Sequence, residues 1–305
     1  MNSPHPPPGI FIPDLISPHR TIGARSFTFN HQVAVMAIVN RTPDSFYDNG
    51  ATYDLEAAVA AALTAVEDGA DWVDIGGVPM GPHKPVVSQA EELDRVVPVI
   101  EAIDARSDVV ISVDTYRTEV ARRAIAAGAN VINDVSGLYD PELADLVAAT
   151  GTTLVIMHSL AKPPRTPVLR PSYGDVVDEV AQFLTERAEL AMARGVNPDQ
   201  IIFDPGFDVN KNTHHSLALA RRLSEITRLG YPTLVAVSNK HFIGETLDVG
   251  KDDRRAGNVA ALTVCITQGA RIIRVHDVRS GVHTARMTEA ILGWRGPAVA
   301  RHNLV

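Results

Sequence analysis

A single cysteine, Cys265, stands in a chain of 305 residues, which excludes an internal disulfide. It sits in the apolar run AALTVCITQGA, where a small buried thiol is expected, and a reducing cytoplasmic setting follows. No apolar run approaches the length of a membrane span. The first residues, MNSPHPPPGIFIP, lack the basic and long apolar regions of a secretory signal and read as an extended arm. There is no excess of positive charge. A net charge of −8 argues against nucleic acid or an anionic membrane surface as a partner. No GxGxxG follows the first strand-like run, which removes the dinucleotide-binding fingerprint. HExxH, paired CxxC and dense carboxylate clusters are missing too, so no protein-bound zinc or calcium is expected.

What is present is a repeated sentence. With 45% hydrophobic and 21% charged residues the chain can bury a large core. Residues 201–207 read IIFDPGF: a short apolar run, a polar residue at its end, a turn, then a helical pattern from about Thr213. The same order recurs at 33–40 (VAVMAIVN), 72–77 (WVDIGG), 109–115 (VVISVDT), 131–137 (VINDVSG), 152–158 (TTLVIMH), 233–240 (TLVAVSNK) and 272–278 (IIRVHDV). Each run is followed by an amphipathic stretch, several of them ending at glycine. Regular alternation of this kind demands parallel strands with right-handed crossovers. Eight units in about 260 residues, with no linker-like break, predict a single-domain (β/α)8 TIM barrel. The expected division is a proline-rich, partly disordered N-terminal arm over 1–30, the barrel over 31–295 and a tail over 296–305.

A barrel of this type places its site at the C-terminal ends of the strands. Those ends carry Asn40, Asp74, Asp114, Asn133, His158, Asp204, Lys240, Arg274 and His276. Any one Asp or Asn there could equally cap a helix, and His158 could equally be a satisfied loop histidine. Asp74, in DIGG, reads as a turn-supporting carboxylate. Asp114, Asn133 and Asp204 offer two carboxylates and a carboxamide, which suit a flat, donor-rich heterocycle with an amidine-like edge. Lys240 offsets that charge or bonds a ring carbonyl. Asn40, Arg274 and His276 form a second group suited to an oxyanion or phosphate.

From 33 to 293 the chain resembles the dihydropteroate synthases and the wider pterin-binding barrels. The motifs are N-x-TPDSF at 40–46, DIGG at 74–77, SVDT at 112–115, NDVSG at 133–137, DPGF at 204–207 and RVHDV at 274–278. That family joins 6-hydroxymethyl-7,8-dihydropterin diphosphate to p-aminobenzoate with release of pyrophosphate. The resemblance implies pterin binding by Asp114, Asn133, Asp204 and Lys240, and diphosphate binding by Asn40, Arg274 and His276. It also implies Mg2+ held by Asn40 with the diphosphate substrate, a place in folate biosynthesis, and a homodimer through helices near 253–267 and 281–292.

The departures cluster in the loops of the second substrate. After DIGG the family's E-S-T-R-P-G is replaced by Val78, Pro79, Met80, Gly81, Pro82 and His83. In the first loop Arg41, Tyr47 and Asn49 are unusual, and the fifth loop reads HSLAKPP rather than H-M-R-G-x-P. After DPG the family reads I/F-G-F-G-K-T, and here stand Phe207, Asp208, Val209, Asn210, Lys211 and Asn212. Two glycines and an aromatic that packs on p-aminobenzoate are gone. S-R-K-S-F has become Ser238, Asn239, Lys240, His241 and Phe242. Losing one positioned charge-stabilising group commonly costs about 2–4 kcal/mol of transition-state stabilisation. The expectation is a family member that keeps its pterin pocket with weak or no synthase activity, unless Lys84 or Arg41 compensates. Lys240 is the catalytic candidate if activity survives, and p-aminobenzoate or sulfonamide-like analogues would bind weakly. An active synthase and another pterin-dependent transferase are the alternatives.

Overall fold

The structure, a computed structural model, describes residues 10–41, 54–79, 86–163 and 170–303. The chain first forms an antiparallel hairpin, β1 (His19–Ile22) with β2 (Arg25–Thr28). Alternation then begins with β3 (Ala34–Asn40), α1 (Leu55–Glu67), β4 (Trp72–Gly76), α2 (Gln89–Asp104), β5 (Val110–Asp114) and α3 (Thr118–Ala126). It continues through β6 (Val131–Asp134), α4 (Glu142–Thr150), β7 (Thr153–Met157), α5 (Val176–Ala193), β8 (Ile201–Asp204), α6 (Thr213–Arg221) and α7 (Leu223–Thr227). The last elements are β9 (Leu234–Val235), α8 (His241–Leu247), α9 (Arg255–Thr267), β10 (Ile272–Val275) and α10 (Val278–Ile291).

Strands β3 to β10 make one parallel eight-stranded sheet in the order β8-β7-β6-β5-β4-β3-β10-β9. A parallel bridge between Phe203 and Thr233 joins its two ends, and the sheet is the expected (β/α)8 barrel. The strand sequences look continuously apolar because both faces are covered. Val33, Val35, Ala37 and Val39 pack outward against helices, in a core that runs around the whole barrel. Ala34, Met36, Trp72, Val110, Val131, Val155, Ile202, Leu234 and Ile272 point the other way and fill the barrel's interior. Helix starts follow sequence signals: Asp54, Ser88 and Asp175 each accept first-turn amides.

Two segments differ from the sequence reading. Residues 19–28, counted with the arm, form the hairpin, whose Ile22 and Phe27 join Leu15 and Phe29 in the interior cluster with Trp72. Arg20 ties it down by donating to the carbonyl of Ile201 at 2.8 Å. The hairpin therefore closes the N-terminal floor of the barrel. The first nine residues, which hold four of the arm's six prolines, fall outside the described residues. The seventh strand, expected over 233–240, is only Leu234–Val235. Asn239 takes a left-handed φ of 58°, its N–H donates to Asn258 Oδ1 at 3.0 Å and its own Oδ1 accepts from Asn258 Nδ2 at 2.9 Å. That turn lifts Ser238 and Asn239 out of the ladder, and Lys240 becomes the N-cap residue of α8 rather than a strand end.

Candidate functional site

Side chains alternate along a strand, so the residues two and four places beyond the interior apolar layer also face inward. From Trp72 this gives Asp74 and Gly76, from Val110 it gives Ser112 and Asp114, and from Val131 it gives Asn133. Ile202 leads to Asp204, and Ile272 leads to Arg274 and His276. The inward face is thus apolar at the floor and polar at the C-terminal mouth. Cross-strand pairing sets Asp114 level with Asn133 and with Gly76, and Gly76 level with Asn40.

Asp74 is the centre of this layer. It is fully buried; Oδ1 accepts from Ser112 Oγ at 2.6 Å, and Oδ2 accepts from Asn133 Nδ2 at 3.1 Å and Arg274 Nε at 2.7 Å. It does not support the DIGG turn, as its sequence context suggested. It fixes the orientations of three neighbours instead. Arg274 also reaches Asp114, with Nη2 3.6 Å from Oδ2. The sequence grouped Arg274 with Asn40 and His276, whereas these ion pairs join it to the carboxylate set. Burial works against its charge, and Asp74, Asp114 and Asp204 outweigh that and raise its pKa.

Because a carboxylate only accepts, the Asn133 amide nitrogen must face Asp74. Its Oδ1 is then buried with no hydrogen-bond partner among the described residues. Buried acceptors of this kind are uncommon and costly. Asp204 is buried as well. Burial pushes its carboxyl above the ordinary range, against the Gly206 N–H bond and the charges of Lys240, Arg274 and Lys211. Burial pushes the Lys240 ammonium down, while Asp208, Asp204 and Asp114 hold it up. Asp114, Asp204, Lys240 and Arg274 are therefore within electrostatic reach of one another. Asn40 sits beside them: a Cβ on Gly76 would lie 2.9 Å from Asn40 Oδ1 and 3.8 Å from Asp114 Cβ, so the glycine is needed for this approach. His276 Nδ1 lies 3.2 Å from Ser238 Oγ, which also accepts from the His276 N–H at 3.3 Å.

The motifs around these residues are loop braces. In NDVSG, Asp134 faces away from Asn133 and accepts from Ser136 N and Oγ and from Leu138 N at 2.8, 2.6 and 2.5 Å. In DPGF, Asp204 Oδ1 accepts from Gly206 N at 2.7 Å, so this carboxylate serves the turn as well as the interior. Gly206 has φ 68°, and a Cβ there would meet the His158 carbonyl oxygen at 2.4 Å.

The altered residues after Phe207 are not simple losses. Asp208 and Asn210 occupy the two positions where the resembled family has glycine, and both keep left-handed φ values of 60° and 52°. Asp and Asn tolerate that region better than most residues. Asn210 Oδ1 accepts from Leu160 N at 2.9 Å, Ala161 N at 3.2 Å and Ser159 Oγ at 3.2 Å, which fastens the loop after β7. Its carbonyl accepts from Tyr173 OH at 2.8 Å. Asp208 Oδ1 accepts from Ser216 Oγ at 2.9 Å and Oδ2 from Phe242 N at 3.3 Å.

His158 faces the helices, not the barrel interior. It packs edge-on against Phe183 at 4.8 Å, and its Nδ1 lies 2.8 Å from Lys211 Nζ. Lys211, to which the sequence gave no role, is buried and donates also to the carbonyls of Gly206 and Val209 at 2.9 and 3.0 Å. Burial lowers its pKa to about 7, and burial with the Lys211 charge lowers that of His158 to about 2. His158 is thus a neutral acceptor for the lysine that clamps the DPGF turn. The signal for Lys211 was its match to the lysine of the family's I/F-G-F-G-K-T. Ser112 had a fainter one, its place two residues before Asp114. Arg41 donates to the α2 carbonyls of Asp94 and Arg95 at 2.8 and 3.0 Å. TPDSF, Tyr47, Asn49, Met80, Gly81, Pro82, His83 and Lys84 lie outside the described residues, as do 164–169 of the fifth loop.

The sequence pattern of the family described as pterin binding enzyme matches residues 36–276. A protein of Mycobacterium leprae named inactive dihydropteroate synthase 2 is 47% identical over 268 residues, covering 86% of this chain and 92% of that one. The dihydropteroate synthase of Synechocystis is 39% identical over 287 residues, covering 93% and 98%. Among solved structures, the Yersinia pestis dihydropteroate synthase in a sulfonamide drug complex superposes with a TM-score of 0.85 at 36% identity, over 91% of this chain and all of that one.

Proposed function

We propose, from the premise that this chain belongs to the pterin-binding enzyme family as a dihydropteroate synthase homologue, that it binds a pterin at the barrel mouth and makes little or no dihydropteroate. The observation that carries the pterin reading is Asn133: held by Asp74 through its amide nitrogen, it presents a buried acceptor oxygen without a partner among the described residues. A pterin ring N–H supplies the missing donor. Asp114 and Asp204 accept from the amidine-like edge, and Lys240 donates to the ring carbonyl side. Arg274 neutralises the two carboxylates nearest it, so the site tolerates them close together without a ligand.

Asn40, Arg274 and His276 would receive a diphosphate at the same mouth. A carboxamide oxygen such as Asn40 Oδ1 fits Mg2+, a hard cation that keeps several waters and arrives with phosphate groups. Bound there, the ion would neutralise charge on the leaving diphosphate. Among the described residues no group of three or more Asp, Glu, His or Cys side chains could hold a metal ion.

The second-substrate side supports impaired synthase chemistry. Arg41 reaches the α2 backbone, and Asp208 and Asn210 tie the loop after β8 to α6, α8 and the loop after β7. A fixed loop works against the closure that excludes water around a leaving group. The name of the Mycobacterium leprae relative, inactive dihydropteroate synthase 2, points the same way. Active synthesis is the second reading, favoured by likeness to the Synechocystis enzyme. In either case the protein acts in or beside folate biosynthesis in the cytoplasm. It does so as a homodimer through α9 and α10, which expose Val264, Met287 and Ile291. Among the described residues no helix is long and apolar enough to cross a membrane.

Calorimetric titration with 6-hydroxymethylpterin tests the pocket. Saturable one-to-one binding that Asn133→Ala and Asp204→Ala abolish is the expected result; no heat at high micromolar pterin would sink the reading.

A further inference from the structure

Three partners surround Lys211 Nζ, and none of them is a carboxylate: the carbonyls of Gly206 and Val209 at 2.9 and 3.0 Å, and His158 Nδ1 at 2.8 Å. Gly206 passes this clamp on, because its N–H donates to Asp204 Oδ1 at 2.7 Å. The glycine has no room for a side chain: a Cβ would meet the His158 carbonyl oxygen at 2.4 Å and Lys211 Nζ at 3.4 Å. The His158 N–H in turn donates to the Asp204 carbonyl at 2.9 Å. Lys211 and His158 thus enclose the residue that orients the Asp204 carboxylate. Two proton arrangements satisfy these contacts in full. An ammonium has three donors, one for each carbonyl and one for Nδ1, with the ring proton on Nε2. A neutral amine has two donors for the carbonyls and a lone pair that accepts from Nδ1–H.

We propose that Lys211 and His158 form a tautomer-coupled positioning pair for Asp204: the ring accepts from the ammonium and donates to the amine, so the turn stays closed in both charge states. On deprotonation one proton passes from Nζ to water, and the single ring proton moves from Nε2 to Nδ1 by exchange with water. A carboxylate in place of the ring would lock the lysine as a cation, and an aliphatic group would serve neither arrangement. Burial brings the Lys211 pKa to about 7, so both arrangements are populated near neutrality, and the ring is uncharged in each. Asp204 on β8 and Asp208 in the same loop hold the charge up, and Lys240 at the start of α8 presses it down. His215 of α6 is depressed by burial and then by the Lys211 charge, while Tyr173 OH is engaged with the Asn210 carbonyl. That Asp204 holds a pterin rests on the reading above, whereas the pair is a property of the unliganded chain.

The test uses the full chain with isotope-labelled histidine, read by nitrogen NMR, and needs no variant. From about pH 5.5 to about pH 9, His158 Nδ1 should pass from an acceptor to a protonated nitrogen, Nε2 should do the reverse, and no imidazolium should form. A single tautomer across that range, or an imidazolium at its acid end, overturns the proposal. Amide exchange at Gly206 then reads its bond to Asp204. Lys211→Met and His158→Leu should each quicken it at least about tenfold, whereas His158→Asn, whose amide can accept or donate, should keep it slow. Unchanged exchange in the first two variants, or equal quickening in both histidine variants, also overturns the proposal. Calorimetry with 6-hydroxymethylpterin completes the test: affinity should fall at least about tenfold in His158→Leu and hold in His158→Asn. Unchanged affinity in His158→Leu would break the link to Asp204. If the unsubstituted chain binds no pterin, the pocket reading falls, and the pair is judged by its tautomers and the Gly206 exchange.

Discussion

Truncating Asp74 to alanine would leave Arg274 buried beside Asp114 without its main partner and would free Asn133 and Ser112 to reorient. Removing one member of a buried pair typically costs about 3–5 kcal/mol. Urea unfolding of Asp74→Ala should show a loss of that order, with pterin binding lost as well. A variant of ordinary stability and unchanged affinity would contradict the role given to this carboxylate. Lys211 supplies a second residue-level test through pH. Its folded pKa of about 7 lies below the ordinary 10.5, so between those values the unfolded chain binds a proton that the folded chain does not. Stability from this group is thus least below about pH 7 and rises toward pH 10.5. The unfolding free energy of the wild type minus that of Lys211→Met should climb between pH 7 and 10. A flat or falling difference would remove the buried, proton-poor lysine. Neither residue's task could be read from the sequence. DIGG marks a turn, and only the cross-barrel neighbours of Asp74, 38, 59 and 200 positions away, reveal a hub.

At the scale of elements, the segment following β8 decides how far the family's mechanics survive. Asn210 holds three donors from residues 159–161. Asn210→Gly restores a residue at ease with φ 52° but releases those donors, for a net loss of about 1–2 kcal/mol. Amide exchange at Leu160 and Ala161 should quicken while exchange in β7 stays slow. No local change would mean that the fastening is without effect. The strand runs themselves were legible because buried parallel strands are written as unbroken apolar stretches. The shortfall at the seventh is instructive: TLVAVSNK has the composition of a full strand, and the turn that ends it early depends on Asn258, in the first turn of α9. The hairpin was obscured for the opposite reason. Prolines dominate the start of the chain, and the alternation in HRTI and RSFT is too short to stand against them.

On the scale of the whole molecule, the fold and the inward cluster of strand-end residues were legible for one reason. A parallel barrel repeats its strand-turn-helix grammar, and the inward parity set by the apolar floor carries through to Asp74, Asp114, Asn133, Asp204 and Arg274. What sequence could not supply is how the strand-end residues divide the work. The two groups proposed for heterocycle and diphosphate meet at Arg274, and the substitutions at Asp208 and Asn210 act as fasteners rather than vacancies. The account that results is a proposed pterin pocket beneath a second-substrate side whose loop sequences depart from the family's. Its most direct test is pyrophosphate release by the full chain with saturating 6-hydroxymethyl-7,8-dihydropterin diphosphate, Mg2+ and p-aminobenzoate, measured beside an active synthase. Release at least about a hundredfold slower than the active enzyme is the predicted result, the cost of even one lost charge-stabilising group. Turnover matching the active enzyme would contradict it.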